Sequence, residues 1–201
     1  MYKVYGDLIS GNCYKVQLVL EHLGIKYHWQ HTDIMAGETH SAEFLAMNPV
    51  GKIPLLETAD GRYLSESNAI MCHLAENSIL IPAKTFDRAQ MMQWLFWEQY
   101  SHEPFIATSR FIILFAGRPV EREQELQSKR PGGLAALQRM DSHLAEQDYF
   151  AGQYSLADIA LYAYTHVADQ AEFSLDAYTN IRGWIERVES QPGFVAMPSK
   201  T

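Results

Sequence analysis

The chain has 201 residues, 47% of them hydrophobic and 20% charged, enough to bury a sizeable core in one large or two small domains. Its formal net charge of −8 argues against a nucleic-acid partner, because phosphates call for a basic face. No stretch nears the roughly 20 uninterrupted apolar residues of a membrane span, and the opening Met1-Tyr2-Lys3-Val4-Tyr5-Gly6 lacks the apolar run of a signal peptide, so a cytoplasmic protein is expected. In chain order, residues 3–5 suit a short strand. After the turn Ser10-Gly11-Asn12, Val16, Val19, Leu20 and Leu23 recur at helical spacing until Gly24 stops them. Residues 27–32 alternate as a second strand. Residues 41–47 make a short helix closed by Asn48-Pro49. Residues 53–57 and 62–64 flank Asp60-Gly61, a hairpin signal. A helix carrying Ile70, Met71 and Leu74 begins near Ser67, which gives the order β-α-β-α-β-β-α.

From residue 86 helical periodicity dominates: 86–115, 122–128, 133–147, 155–168 and 177–190. Pro104 should kink or interrupt the first of these. The segment 78–85, with Pro82, reads as a linker between an α/β domain over 1–77 and an all-helical domain over 86–201.

Four motifs carry chemistry or architecture. In Asn48-Pro49-Val50-Gly51-Lys52-Ile53-Pro54, a plain two-proline loop competes with a cis Pro54 that leaves the Ile53 N–H and C=O facing outward. Those groups could pair with an extended peptide as an added strand does. Ser65-Glu66-Ser67-Asn68 enters an apolar helix and reads as an N-cap. It also reads as an anion site at the helix start, with Glu66 placed to hold an ammonium group. Ser10-Gly11-Asn12-Cys13 has the spacing of a redox Cys-x-x-Cys pair with serine leading. Turn chemistry explains it, and so does a Ser10 hydroxyl bonded to a bound thiolate at a helix start. Lowering a thiol pKa by about two units requires roughly 2.7 kcal/mol of differential stabilisation. One hydroxyl and a helix terminus can supply that. Ser155 and Asp158, in Tyr154-Ser155-Leu156-Ala157-Asp158-Ile159, fit a structural capping box with Tyr154 and Ile159 as its staple.

Taken in order, these features resemble the cytosolic glutathione transferases over nearly the whole chain, and the Ser10 turn looks most like the bacterial serine-type, phi- and theta-like members. The resemblance implies a thioredoxin-like domain followed by a helical bundle, and a homodimer. It implies glutathione as co-substrate with a small electrophile or peroxide as second substrate; no metal is expected, since no His/Cys/Asp cluster in the sequence has ligand spacing. It places Ser10 as the thiol-activating group, with Asn12 assisting or replacing it. Ile53, before Pro54, would pair with the tripeptide backbone, and Glu66 and Ser67 would hold the γ-glutamyl end. Lys52 and His40 would meet the ligand beside them. Cys13 stands where a second, protected sulfur would be. If exposed, it would instead support thiol–disulfide exchange. Cys72 is expected in the core. The helix that follows the linker would line the electrophile pocket, with Tyr100, His102, Phe105, Ile106 and Arg110 as candidates. A non-catalytic binding module on the same fold is the remaining alternative.

Overall fold

The structure is a computed structural model describing residues 1–199, and its chain divides into two compact units. The first runs Met1–Ser78 and takes in the returning segment from Gln191; the second is Ile79–Ser190.

The first unit is built on β1 (Tyr2–Gly6), α1 (Gly11–His22), β2 (Tyr27–His31), α2 (Ala42–Met47), β3 (Leu55–Glu57), β4 (Tyr63–Ser65) and α3 (Ser67–Leu74). The strands lie in the order β2-β1-β3-β4, with β1 and β2 parallel and the other pairs antiparallel. A parallel pair needs a crossover, and α1 provides it. The hairpin between β3 and β4 turns at Gly61, whose φ of 78° only glycine adopts without strain. Val4, Leu55 and Leu56 from the sheet, Leu18, Val19 and Leu20 from α1, and Ile70 and Met71 from α3 form the core. This is a thioredoxin-like layout, as the element order predicts.

Two expectations change here. Cys72 is only half-buried. The C-terminal segment, expected with the helical domain, belongs to the first unit. Tyr14 Oη donates to the Val195 carbonyl at 2.6 Å, and His22 Nδ1 meets the Pro192 carbonyl at 2.6 Å. A Cβ on Gly193 would fall 2.8 Å from the Glu21 carbonyl, so the tail presses directly on the backbone of α1.

The second unit holds α4 (Thr85–Ser101), α5 (Glu103–Arg110), α6 (Glu123–Leu144), α7 (Leu156–Thr165) and α8 (Thr179–Glu189). The expected long helix breaks at His102, so that Pro104 lies in the first turn of α5, where its missing N–H loses nothing. A π-turn over Phe111–Phe115 ends that run. Residues 122–128 and 133–147 are not two helices, as the sequence suggests, but parts of one, because α6 continues through Pro131. Gly132 and Gly133 then serve packing: the Phe105 ring occupies the space a side chain on Gly132 would need, and the Phe173 ring does the same at Gly133.

Every residue of α7 is buried, as befits a central helix apolar on all sides. Its start carries the expected capping box. Asp158 accepts from the Ser155 N–H at 3.0 Å, the Phe150 N–H at 3.2 Å and Trp184 Nε1 at 3.0 Å. Complete burial nevertheless pushes the Asp158 carboxyl up to about 7.

Candidate functional site

Sheet register brings the candidate residues of the first unit to one end of the sheet. Tyr5 pairs with Leu55 and Leu55 with Ser65, while Gly6 pairs with His31. The chain therefore leaves β1 toward Ser10 and Asn12, leaves β2 toward His40, enters β3 from Lys52, Ile53 and Pro54, and leaves β4 into Glu66 and Ser67, all on that end. Sites in such sheets form where strand ends and helix starts converge.

The Ile53–Pro54 bond is cis. Ladder pairing of β3 starts only at Leu55, and among the described residues no hydrogen bond within the chain engages the Ile53 amide or carbonyl. Half-buried Ile53 thus carries an open main-chain donor and acceptor at the sheet's end. The loop before it is fixed by buried Asn48. Its Nδ2 donates to the Lys52 carbonyl at 2.7 Å, its Oδ1 accepts from the Val50 N–H at 3.2 Å, and its carbonyl accepts from the Gly51 N–H at 3.0 Å. Gly51, at φ 66°, lets the His40 loop close in: a Cβ there would sit 3.3 Å from the Thr39 carbonyl and 3.6 Å from His40 Nε2. His40 and Lys52 are exposed candidates on adjoining loops.

Glu66 is exposed and caps α3 with φ 71° and ψ 110°, a conformation that disfavours any side chain. Its carboxylate does not cap the helix. Holding a non-glycine residue there costs of order 1–3 kcal/mol, and such outliers cluster at binding sites. Ser67 follows in the first turn and is 6% exposed. Its Oγ donates to Asn12 Oδ1 at 3.1 Å, tying the start of α3 to that of α1. The same Asn12 oxygen accepts from Nζ of Lys15, a completely buried lysine, at 2.8 Å. Lys15 is not among the candidates that the sequence motifs mark, although a lysine among Tyr14, Val16 and Leu18, three residues after Asn12, is a signal in itself.

Ser10 is the N-cap of α1, yet its side chain caps no N–H; its hydroxyl is within hydrogen-bond reach of the Cys13 thiol. Cys13 is fully buried under Gly6, where a Cβ would fall 2.6 Å from Cys13 Sγ. Burial pushes the Cys13 thiol up to about 12, against the lowering effect of the Asp7 backbone and Ser10 hydroxyl. A sulfur so placed is not a nucleophile.

The five pocket candidates of the second unit separate. His102 is fully buried, and its Nε2 meets Thr165 Oγ1 at 2.9 Å. Because Thr165 Oγ1 donates to the Leu161 carbonyl at 2.6 Å, it is His102 Nε2 that carries the proton. Ile106 is likewise fully buried, and Arg110, 3% exposed, donates to Gln170 Oε1 at 2.8 Å. These three serve the interior of the unit, and the expectation that they line a pocket is corrected accordingly. Phe105 packs on Gly132. Tyr100 is 85% exposed and follows Phe96, 68% exposed, by one turn of α4, with Phe86 further back on the same face. Among the described residues no group of His, Cys, Asp and Glu is arranged to hold a metal ion, and no helix is long and apolar enough to cross a membrane.

Comparison with known proteins agrees with this layout. The family model for the glutathione S-transferase N-terminal domain matches residues 9–77, and that for the C-terminal domain matches residues 99–192. The fold superposes on a glutathione S-transferase from Pseudomonas fluorescens Pf-5 with a TM-score of 0.96 and 51% identity, covering 98% of this chain and 99% of that one. A glutathione S-transferase from Xanthobacter autotrophicus Py2 gives a TM-score of 0.94 at 39% identity, covering 98% and 97%. The disulfide-bond oxidoreductase YfcG of Escherichia coli K12 is 28% identical, over 90% of this chain and 87% of its own.

Proposed function

The chain belongs to the glutathione S-transferase family, and from that premise we propose that it binds glutathione at the end of the sheet and activates the thiol for transfer. The observation that carries the reading is the convergence of an open Ile53 main chain with the Glu66–Ser67 helix start and the Ser10–Asn12 turn on one sheet end. A γ-glutamyl group bears an ammonium and a carboxylate on one carbon. Glu66 takes the first, and the N–H groups opening α3 take the second. The cysteinyl unit lies along Ile53, exchanging strand-type hydrogen bonds. His40 and Lys52 face the glycyl carboxylate. Ser10 and Asn12 donate to the sulfur beside the positive end of α1, which favours the thiolate. That thiolate attacks an electrophilic carbon, displacing its leaving group, or the O–O bond of a peroxide.

Titration calorimetry with glutathione tests this, together with turnover of an aryl chloride. Binding that is lost in Glu66→Ala and Ser67→Ala supports the reading; an unaltered chain that takes up no glutathione sinks it. A second reading, exchange at disulfides, draws on the similarity to the oxidoreductase of Escherichia coli. Here the attacking sulfur would be that of glutathione, since Cys13 is sealed. We place the protein in the cytoplasm as a homodimer. The exposed face of α4 with Phe86, Phe96 and Tyr100 supports self-association, and light scattering of Phe96→Glu against the unaltered chain checks it.

A further inference from the structure

Thr39, in the turn Glu38–His40, carries its hydroxyl into the interior and is 1% exposed. A buried hydroxyl is unfavourable unless it is hydrogen-bonded, and valine would fill the same volume without that cost. Among the described residues the partner this hydroxyl finds is the ring of the next residue: Thr39 Oγ1 lies 3.2 Å from His40 Nδ1. The backbone holds both groups in place. The His40 N–H donates to the Gly37 carbonyl at 2.9 Å. The Gly51 loop comes so close that a Cβ on Gly51 would sit 3.3 Å from the Thr39 carbonyl and 3.6 Å from His40 Nε2. The exposed ring therefore has Nδ1 on the buried threonine and Nε2 beside Gly51, two residues before Ile53.

The threonine decides which ring nitrogen carries the proton. A neutral imidazole has one donor nitrogen and one acceptor. If Nδ1 were the donor, the Thr39 hydroxyl would accept from it, and the hydroxyl's own hydrogen would be buried without an acceptor. If Nδ1 accepts from Thr39, both groups are satisfied and Nε2 becomes the N–H. An imidazolium carries a hydrogen on Nε2 as well, so Nε2 is a donor in either charge state.

We propose that Thr39 is a positioning residue for recognition of the glycyl carboxylate: by donating to His40 Nδ1 it fixes the ring and keeps Nε2 a donor toward that group. The proposal rests on the glutathione reading above and adds to it a residue that touches no ligand atom. The arrangement also sets selectivity. The other neutral tautomer would turn a lone pair on a carboxylate, whereas Nε2–H favours a γ-glutamyl tripeptide whose C-terminus is free over one whose C-terminus is esterified.

The test is titration calorimetry at about pH 8.5, where imidazole is ordinarily neutral, with S-methylglutathione and with its glycine ethyl ester. Neither has a thiol to ionise. The unaltered chain should prefer the free carboxylate. In Thr39→Val that preference should shrink about fivefold, through weaker binding of the acid with the ester unchanged. Thr39→Ser keeps the hydroxyl and should retain the preference. The double variant Thr39→Val/His40→Ala should match His40→Ala alone, since the threonine acts through the ring, with Lys52 keeping its own share in both. Equal weakening of both ligands in Thr39→Val would show a threonine that only supports the loop and would overturn the proposal, as would an undiminished preference. If Thr39→Val does not fold, the imidazole nitrogen resonances of the unaltered chain, assigned by their loss in His40→Ala, decide: an Nε2–H ring is expected, and an Nδ1–H ring overturns the proposal. An unaltered chain that binds neither ligand removes the glutathione reading as well, whereas normal binding with the preference unmoved in Thr39→Val removes this proposal alone.

Discussion

Replacing Glu66 with glycine should make the protein more stable and worse at holding glutathione. The residue sits at φ 71° and ψ 110°, where a Cβ is disfavoured and glycine is not. Releasing that strain returns about 1–3 kcal/mol. The greater freedom of glycine in the unfolded chain takes back about 0.5–1 kcal/mol. The net gain is near 1 kcal/mol, which for a chain of this size raises the thermal midpoint by roughly 2–4 °C. On the other side of the ledger, a charge-assisted hydrogen bond from the γ-glutamyl ammonium contributes about 1.5–3 kcal/mol. Losing it weakens affinity by roughly 10- to 150-fold. Glu66→Ala separates the two effects: it loses the carboxylate but keeps the strain, so affinity should drop as far with no gain in stability. Scanning calorimetry and titration calorimetry on the three proteins provide both readouts. Equal melting of the glycine and alanine variants would mean that the backbone is not strained there. Undiminished affinity in either would mean that Glu66 does not hold the ligand.

Other expectations concern the interior. Asp158→Ala leaves the N–H groups of Ser155, Phe150 and Trp184 without their acceptor and should cost about 3–5 kcal/mol in urea unfolding. The carboxyl's native pKa of about 7 lies above its ordinary 3.8, so between those values the native state keeps a proton that the unfolded chain has released. Its contribution is therefore largest at low pH and declines as pH rises toward 7; the stability of the unaltered chain relative to Asp158→Asn should fall from pH 5 to 7, and a flat difference would refute the assignment. Gly133→Ala should destabilise by about 1–3 kcal/mol because the Phe173 ring occupies the space of the new methyl. Gly183→Ala in α8, where the methyl meets only Arg187 Nη1 at 3.5 Å, should stabilise by up to about 1 kcal/mol through helix propensity. If the two substitutions shift the urea midpoint alike, ring packing does not govern α6. An aromatic disulfide reagent should modify half-buried Cys72 in the native protein and Cys13 only on unfolding, so Cys72→Ser should abolish native labelling.

What the sequence revealed is what local physics decides. The hairpin at Asp60-Gly61, the short helix capped by Ser41, the break near Pro104 and the Ser155–Asp158 box each depend on residues within a few positions of one another. The continuity of α6 through Pro131-Gly132-Gly133 was illegible for the opposite reason. Those residues signal a break when read alone, and only the Phe105 and Phe173 rings, from distant segments, make two bare backbone positions useful. His102 and Arg110 looked like polar pocket residues because their partners, Thr165 and Gln170, lie 63 and 60 residues away in the chain. The tail read as an appendage of the helical domain because nothing near Val195 announces the Tyr14 hydroxyl that it accepts from.

The placement of Cys13 decides which sulfur does the chemistry. Burial pushes the Cys13 thiol up to about 12, well away from ionising at pH 7. An unperturbed cysteinyl thiol with a pKa near 8.5 is already about 3% ionised at that pH. Before any help from Ser10 or Asn12, a glutathione sulfur at the start of α1 would therefore lead Cys13 in thiolate, and it would lead in access as well. Thiol chemistry at this sheet end must then run through an added thiol, whether the partner is a carbon electrophile, a peroxide or a disulfide. Cys13→Ala should retain its turnover with each of these, apart from a stability loss from the space left under Gly6. Turnover of a disulfide that vanishes in Cys13→Ala, in a protein that still binds glutathione, would mean that the α1 start opens to expose its own sulfur.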